Sequence, residues 1–252
     1  MGAFSFKRFS VLHERSTMKV GTDGVLLGAW TPLSPYREGA EAFQALEVGC
    51  GCGIVALMLA QRLQENGWQG NFGITAIDIH EPSCWEAAQN AVQSPWSGSL
   101  TVENMDFLQM PEEEKFDLIV SNPPFFDESL KSPDAARNLA RHNDTLPFAA
   151  LLEKSEKLLH AGGSLALVLP PRAFEKMQLL QEESASRMAL IRLTRVYPKP
   201  EKACERLLCA WQKNSGEQTV PAMHEDRLLI HDAQGGYEEA YRRLVKDFYL
   251  WA

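Results

Sequence analysis

The run Phe116-Asp117-Leu118-Ile119-Val120-Ser121-Asn122-Pro123-Pro124-Phe125 decides how the rest of the chain is read. Its first half is a short apolar strand of the buried type. Its second half cannot continue one, because proline lacks an N–H donor and fixes φ. The strand therefore stops and hands the Asn122 side chain, the Pro123 carbonyl and the Phe125 ring to whatever lies beyond its end. In open α/β sheets, ligands bind outside the carboxyl ends of the strands.

Upstream, a strand over about Ala42 to Val48 runs into Gly49-Cys50-Gly51-Cys52-Gly53, and Ile54, Leu57, Met58, Ala60 and Leu63 follow at helical spacing. Strand, glycine turn and helix start cradle a phosphate or nucleoside: glycine lets backbone amides approach, and a helix N-terminus favours negative charge. A second strand, Phe72 to Ile77, ends in Asp78, placed to accept from ribose hydroxyls, before a helix from Glu81 to Val92. A third, Ser99 to Glu103, leads to Asp106 and Phe107, a carboxylate and a ring beside the same edge. Glu112-Glu113-Glu114 reads as a solvated turn.

Downstream, residues 126–146 carry little apolar periodicity but hold Lys131, Arg137, Arg141 and His142. Strand–helix alternation then resumes: helix Pro147–Leu159, a Gly162-Gly163 turn, strand Ser164–Leu169, helix Arg172–Glu183, and strands Ala189–Val196 and Arg206–Gln212. The pattern predicts a doubly wound, mostly parallel sheet closed by an antiparallel hairpin, since no helix separates the last two strands. Residues 1–42 read as an arm or cap, 43–213 as the core, and 214–252 as an extension packed on it. The extension holds a strand at Arg227–His231 and a helix at Glu238–Leu250. Within the arm, Thr22 or Asp23 is placed to N-cap the apolar stretch Val25 to Trp30.

At 252 residues, a large core is easily built. Five cysteines without a framework spacing suggest a reducing compartment, and no apolar run reaches membrane-spanning length, so the expectation is a cytoplasmic protein without a membrane partner. The formal net charge of −8 argues against a surface coated in positive potential but leaves room for a local basic patch.

The chemistry follows from the motif. An amino group on an aromatic base is a poor nucleophile, its lone pair being shared with the ring. The Asn122 oxygen and the Pro123 carbonyl can each accept one amino hydrogen and so favour a tetrahedral nitrogen, with Phe125 against the base; Pro124 holds the turn. No metal is needed, and Cys50-x-Cys52 alone lacks the ligand count for zinc. Gly51-x-Gly53-x-x-Ala56 also fits a dinucleotide fingerprint, so a nicotinamide oxidoreductase competes, as does a catalytically silent RNA-binding module.

Glu47-x-Gly49-x-Gly51-x-Gly53 together with Asn122-Pro123-Pro124-Phe125 resembles the amino-group N-methyltransferases of the seven-stranded S-adenosylmethionine-dependent class. Phe6-Lys7-Arg8-Phe9, Met18 through Gly24, Leu26 through Trp30, Ser94-Pro95-Trp96 and the ending Tyr237, Tyr241, Phe248-Tyr249-Leu250 are similar to bacterial valine-tRNA adenine-N6-methyltransferases. The likeness covers essentially the whole chain. It implies that Glu47, Gly49, Gly51 and Gly53 line the cofactor pocket, with Thr22 and Asp23 near the methionine end. Asp78 would hold the ribose, Asp106 and Phe107 the adenine, and Asn122 to Phe125 the target base. Lys7, Arg8, Arg15, Lys19, Arg137 and Arg141 are candidates for tRNA phosphates. Phe125 stands where that family commonly has Tyr. The same motif serves enzymes that methylate a protein glutamine amide, rRNA guanine or DNA adenine, and these remain the alternative substrates.

Overall fold

The computed structural model describes residues 2–33, 41–124, 146–184, 186–214, 216 and 222–252. The chain opens with a small antiparallel hairpin, β1 (Ala3–Ser5) and β2 (Ser10–Leu12), and then helix α1 (Thr22–Trp30). The central elements follow as β3 (Phe43–Val48), α2 (Ile54–Leu63), β4 (Phe72–Asp78), α3 (Glu81–Gln93), β5 (Leu100–Asn104) and β6 (Phe116–Ser121). After the next described residues come α4 (Phe148–Leu158), β7 (Leu159–Leu169), α5 (Pro171–Glu183), β8 (Met188–Tyr197), β9 (Arg206–Lys213), β10 (His224–Leu229) and α6 (Glu239–Val245).

One eight-stranded sheet runs in the order β10-β8-β9-β7-β6-β3-β4-β5. β9 lies antiparallel to both β7 and β8, the expected closing hairpin, and the remaining pairs are parallel. The eighth strand is the difference from expectation. β10 adds parallel to the outer edge of β8, in register from His224↔Arg192 to Leu229↔Tyr197, so the extension is part of the sheet. An added strand satisfies an edge that would otherwise expose unpaired backbone groups.

Layering follows from the apolar strands, since a parallel sheet must be covered on both faces. One core, around α1 and α2, contains Leu27, Met58, Leu118 and Leu208; the other, around α4 and α5, contains Leu46, Ile119, Leu165 and Trp211. Helices α1 and α2 touch closely: a Cβ on Gly28 would fall 2.8 Å from the Met58 sulfur, so only glycine fits there.

Two terminal features differ from the sequence reading. Gly21 precedes α1 in extended conformation with no side-chain cap, and Thr22 and Asp23 are its first helical residues. Helix α6 stops at Val245 instead of Leu250, because the following residues turn to meet the arm. The Lys7 amide donates to the Phe248 carbonyl at 2.8 Å, and the Phe6 ring stacks on Tyr249 at 5.7 Å. Among the described residues, no helix is long and apolar enough to cross a membrane.

Candidate active site

The parallel strands β3, β4 and β6 end on one side of the sheet, and a cavity of about 560 Å³ opens there. Its floor is the turn after β3. Gly49, Gly51 and Gly53 all have positive φ (70°, 52° and 76°), a conformation that other L-residues adopt only at a cost. A Cβ on Gly49 would meet nothing within 4 Å, so this backbone faces open space within the cavity. Gly53 lies behind the cavity as the left-handed residue preceding α2, its missing side chain 3.2 Å from the Ala87 Cβ.

Two carboxylates brace the turn. The Asp78 side chain, 8% exposed at the end of β4, accepts from the Gly51 amide through Oδ2 and from the His80 amide through Oδ1, both at 2.9 Å. Glu47, buried near the end of β3, accepts from the Ala56 amide at 2.9 Å, one of the unpaired donors of the first turn of α2. Burial pushes the Glu47 carboxyl up to about 8, helped by the nearby Asp78 charge. Cys50 and Cys52 are buried beside it as free thiols, and burial pushes Cys52 up to about 12, the behaviour of a small neutral filler.

At the end of β6, Ser121 donates from its hydroxyl to the Val48 carbonyl at 2.8 Å, tying the two strand ends together. Asn122 then enters the cavity wall. Its side-chain oxygen is buried and has no hydrogen-bond partner among the described residues. A buried acceptor without a donor is costly and calls for an explanation, and this one belongs to a residue of the cavity wall.

The arm supplies a second wall. Thr17, Met18, Lys19, Thr22 and Asp23 line the cavity. They are held by the inner face of α3. Glu86 takes the backbone amides of Glu14, Arg15 and Ser16 at 2.8 to 3.1 Å, and Asn90 bonds both the amide and the carbonyl of Leu12 at 2.8 Å. Burial pushes Glu86 up, but these donors outweigh it and hold the carboxyl below its ordinary value. Asp23 pairs with Arg206, which lies on β9, at 2.8 Å.

The remaining candidates fall into four sets. Asp106 and Phe107 lie outside the cavity. Asp106 caps a short turn through the Leu108 amide at 2.9 Å, and the Phe107 ring is buried in the second core instead of offering a stacking face. Leu108, the next residue, and Ile79, which follows β4, are exposed apolar side chains. Lys7 and Arg8 stay exposed but are engaged by the chain itself. The Lys7 ammonium donates to the main-chain oxygens of Lys246 and Ala252, and Arg8 pairs with Glu65 at 2.9 Å over the Trp96 ring, so both hold the arm in place. Arg15 stays on the surface with its guanidinium 4.2 Å from the Trp85 ring centroid, and Lys19 is exposed at the cavity. Phe125, Arg137 and Arg141 lie outside the described residues.

The methyltransferase small domain family model matches residues 36–192. The tRNA1(Val) (adenine(37)-N6)-methyltransferase of Parabacteroides distasonis is 40% identical over 250 residues, covering 98% of this chain and 97% of its own. That of Bacteroides thetaiotaomicron is 37% identical over 247 residues, with 98% and 97% covered. The chain belongs to the tRNA1(Val) (adenine(37)-N6)-methyltransferase family. At the level of fold alone, a predicted O-methyltransferase from Agrobacterium tumefaciens superposes with a TM-score of 0.64 at 16% identity, over 90% of this chain and 96% of that one.

For a member of this family, one part of the site was not legible as such from the sequence. His231, Tyr237, Tyr241 and Tyr249 line the cavity, as does Arg206. Tyr241 reads as the apolar face of a terminal helix, and only the fold carries that segment back to the strand ends. The available signal was the density of tyrosines between residues 237 and 249.

Proposed function

We propose that the chain transfers the methyl group of S-adenosylmethionine to N6 of adenine 37, the base 3′ of the anticodon, in tRNA1(Val). The supporting observation is the buried Asn122 oxygen, without a partner among the described residues, at the wall of a cavity floored by glycines. Full-length relatives carry the same activity in their names.

The residues present fit the cofactor. The open backbone at Gly49 and the neighbouring Glu47, Thr22 and Asp23 make a polar cradle for an amino-acid moiety. Each Asp78 oxygen keeps a lone pair beyond its backbone bond for ribose hydroxyls, and Asp106 keeps acceptor capacity for an adenine amino group. Ile79 and Leu108, not Phe107, supply apolar surface near that end. Bound there, S-adenosylmethionine supplies a methyl group made electrophilic by its sulfonium.

The chain's own part is position and polarisation. The Asn122 oxygen accepts one N6 hydrogen and the Pro123 carbonyl the other, drawing the nitrogen lone pair out of the ring and stabilising positive charge as it develops. Pro124 fixes the turn, and Phe125 is assigned to the face of the target base. A base in a folded RNA must leave its stack to reach such a pocket, which an anticodon loop permits. Residues 1–42 serve as a cap contributing to the site, 43–213 as the methyltransferase core, and 214–252 as the extension completing the wall.

Incubation with labelled S-adenosylmethionine and bulk tRNA lacking the modification, followed by nuclease digestion and mass spectrometry, tests this reading. Label in N6-methyladenosine at position 37 of tRNA1(Val) is expected. Label appearing only in a protein glutamine, in rRNA guanine or in DNA adenine would overturn the substrate assignment.

A further inference from the structure

Asp23 and Arg206 lie 183 residues apart in sequence and meet on the cavity wall, the Arg206 Nε donating to Asp23 Oδ2 at 2.8 Å. The two are not held equally. Arg206 begins β9, opposite Val196 of β8, and its Nη1 donates to the Glu205 carbonyl at 2.8 Å, so backbone and guanidinium are both fixed on the sheet. Asp23 lies in the first turn of α1, whose N-cap, Gly21, offers no side chain, and unpaired amides there attract a carboxylate. The bond to Arg206 sets the carboxylate's position against that pull. With the Arg206 and Asp23 side chains only 34% and 22% exposed, the pair is screened less than one on the open surface.

The arm lies directly on the glycine turn. A Cβ on Gly24 would fall 3.2 Å from the Ile54 Cγ2, and one on Gly51 3.9 Å from the Met18 carbonyl oxygen. Three acids line the cavity: Asp23, Glu47 and Glu205. Burial pushes Glu47 up to about 8, so it is mostly uncharged at pH 7, and Glu205 is exposed to water. The ion-paired Asp23 is thus the carboxylate best placed to hold a cation beside the turn, and Arg206 occupies only one of the roughly four lone-pair positions it offers. A phosphate would be repelled by it. We propose that Arg206 is a positioning residue for the cofactor, holding the Asp23 carboxylate where it receives the ammonium of the S-adenosylmethionine amino-acid end. This rests on the cofactor reading made above.

The test compares calorimetric affinities of the full chain for three ligands. S-adenosylmethionine and S-adenosylhomocysteine carry the amino-acid end; 5′-methylthioadenosine lacks it and, like S-adenosylhomocysteine, is neutral at sulfur. For the first two, Kd should rise roughly tenfold in Asp23→Ala and roughly fivefold in Arg206→Ala, with the double variant no worse than Asp23→Ala. Arg206→Lys, which keeps the charge but not the fork, should recover part of the loss. Affinity for 5′-methylthioadenosine should stay within about twofold of the parent throughout, which a merely structural role would not give. An equal loss for 5′-methylthioadenosine overturns the assignment and leaves the pair as a staple of the arm. Unchanged affinities with lowered urea stability do the same. Additive losses in the double variant overturn it because Arg206 would then act without Asp23, and a loss for S-adenosylmethionine alone would assign Asp23 to the sulfonium. A parent that binds no S-adenosylmethionine sinks the cofactor reading itself; a parent that binds it beside variants that bind equally well sinks only the role of Arg206.

Discussion

The two walls of the cavity are built by different physics. One consists of strand ends: Glu47 and the glycine turn after β3, and Asn122 after β6, side by side because β3 and β6 pair in parallel. The other is assembled from the ends of the chain, Lys19 and Asp23 from the arm and Tyr237 and Tyr249 from the extension. Each wall depends on a buried glutamate, and the pair measures the contrast. Among the described residues, Glu47 takes its backbone donors from the first turn of α2, and it is pushed up by burial. Glu86 gathers the amides of three successive arm residues and is held low despite burial. The first wall follows from sheet topology, the second from side-chain grips on the arm and from the strand that carries the extension back.

If the walls have separate roles, damage to each should have a separate signature. Asn122→Ala should lower kcat by about 10²- to 10³-fold, the usual cost of removing a preorganised transition-state hydrogen bond, with calorimetric affinity for S-adenosylmethionine nearly unchanged. A matching collapse in cofactor affinity would move Asn122 from the chemistry to the cofactor cradle. Next in size is Glu86→Ala, which strands the amides of Glu14, Arg15 and Ser16. A loss on the order of 3 kcal/mol in denaturant unfolding is expected, together with faster amide exchange in the arm. Unaltered exchange there would show that the arm's other ties, such as Asn90 to Leu12, suffice to hold it. Asp78→Ala should cost about 1–2 kcal/mol through its bonds to the Gly51 and His80 amides and weaken cofactor binding as well. A variant that unfolds more easily but binds the cofactor normally would confine Asp78 to bracing the turn.

The same contrast explains how much was legible beforehand. Local signals were strong at the first wall. Two prolines must end β6, and three alternating glycines must make a turn with positive φ. Hydrophobic runs then place both at one sheet edge. At the second wall the signals were non-local. Nothing in Lys7 itself says that its ammonium closes on oxygens of Lys246 and Ala252, so it read as a phosphate ligand. Nothing in Phe107 says that its ring turns into the core while Leu108 stays outside. The register of β10 on β8, which brings Tyr237 to the cavity, is likewise set by an edge that exists only once the sheet has formed.

The smallest effect separates the two glutamates by pH. Glu47 in the folded chain titrates at about 8, above the unfolded value of about 4.3, so folding takes up a proton between the two. Its contribution to stability therefore falls as pH rises through that window, by at most about 1.4 kcal/mol per pH unit. Glu86 has the opposite sign. Its folded value lies below the unfolded one, so its contribution is present above about pH 4.3 and is lost as pH falls through the lower folded value. Urea unfolding from pH 3 to pH 9 should show the slope between pH 5 and 8 flatten in Glu47→Gln, and the acid limb shrink in Glu86→Gln. Were the cofactor's ammonium to sit beside Glu47, binding would draw the Glu47 proton off, and calorimetry near pH 7 in buffers of different ionisation enthalpy should then register proton release that Glu47→Gln abolishes. Proton release unchanged in that variant would place the titrating group elsewhere and leave Glu47 as a helix brace alone.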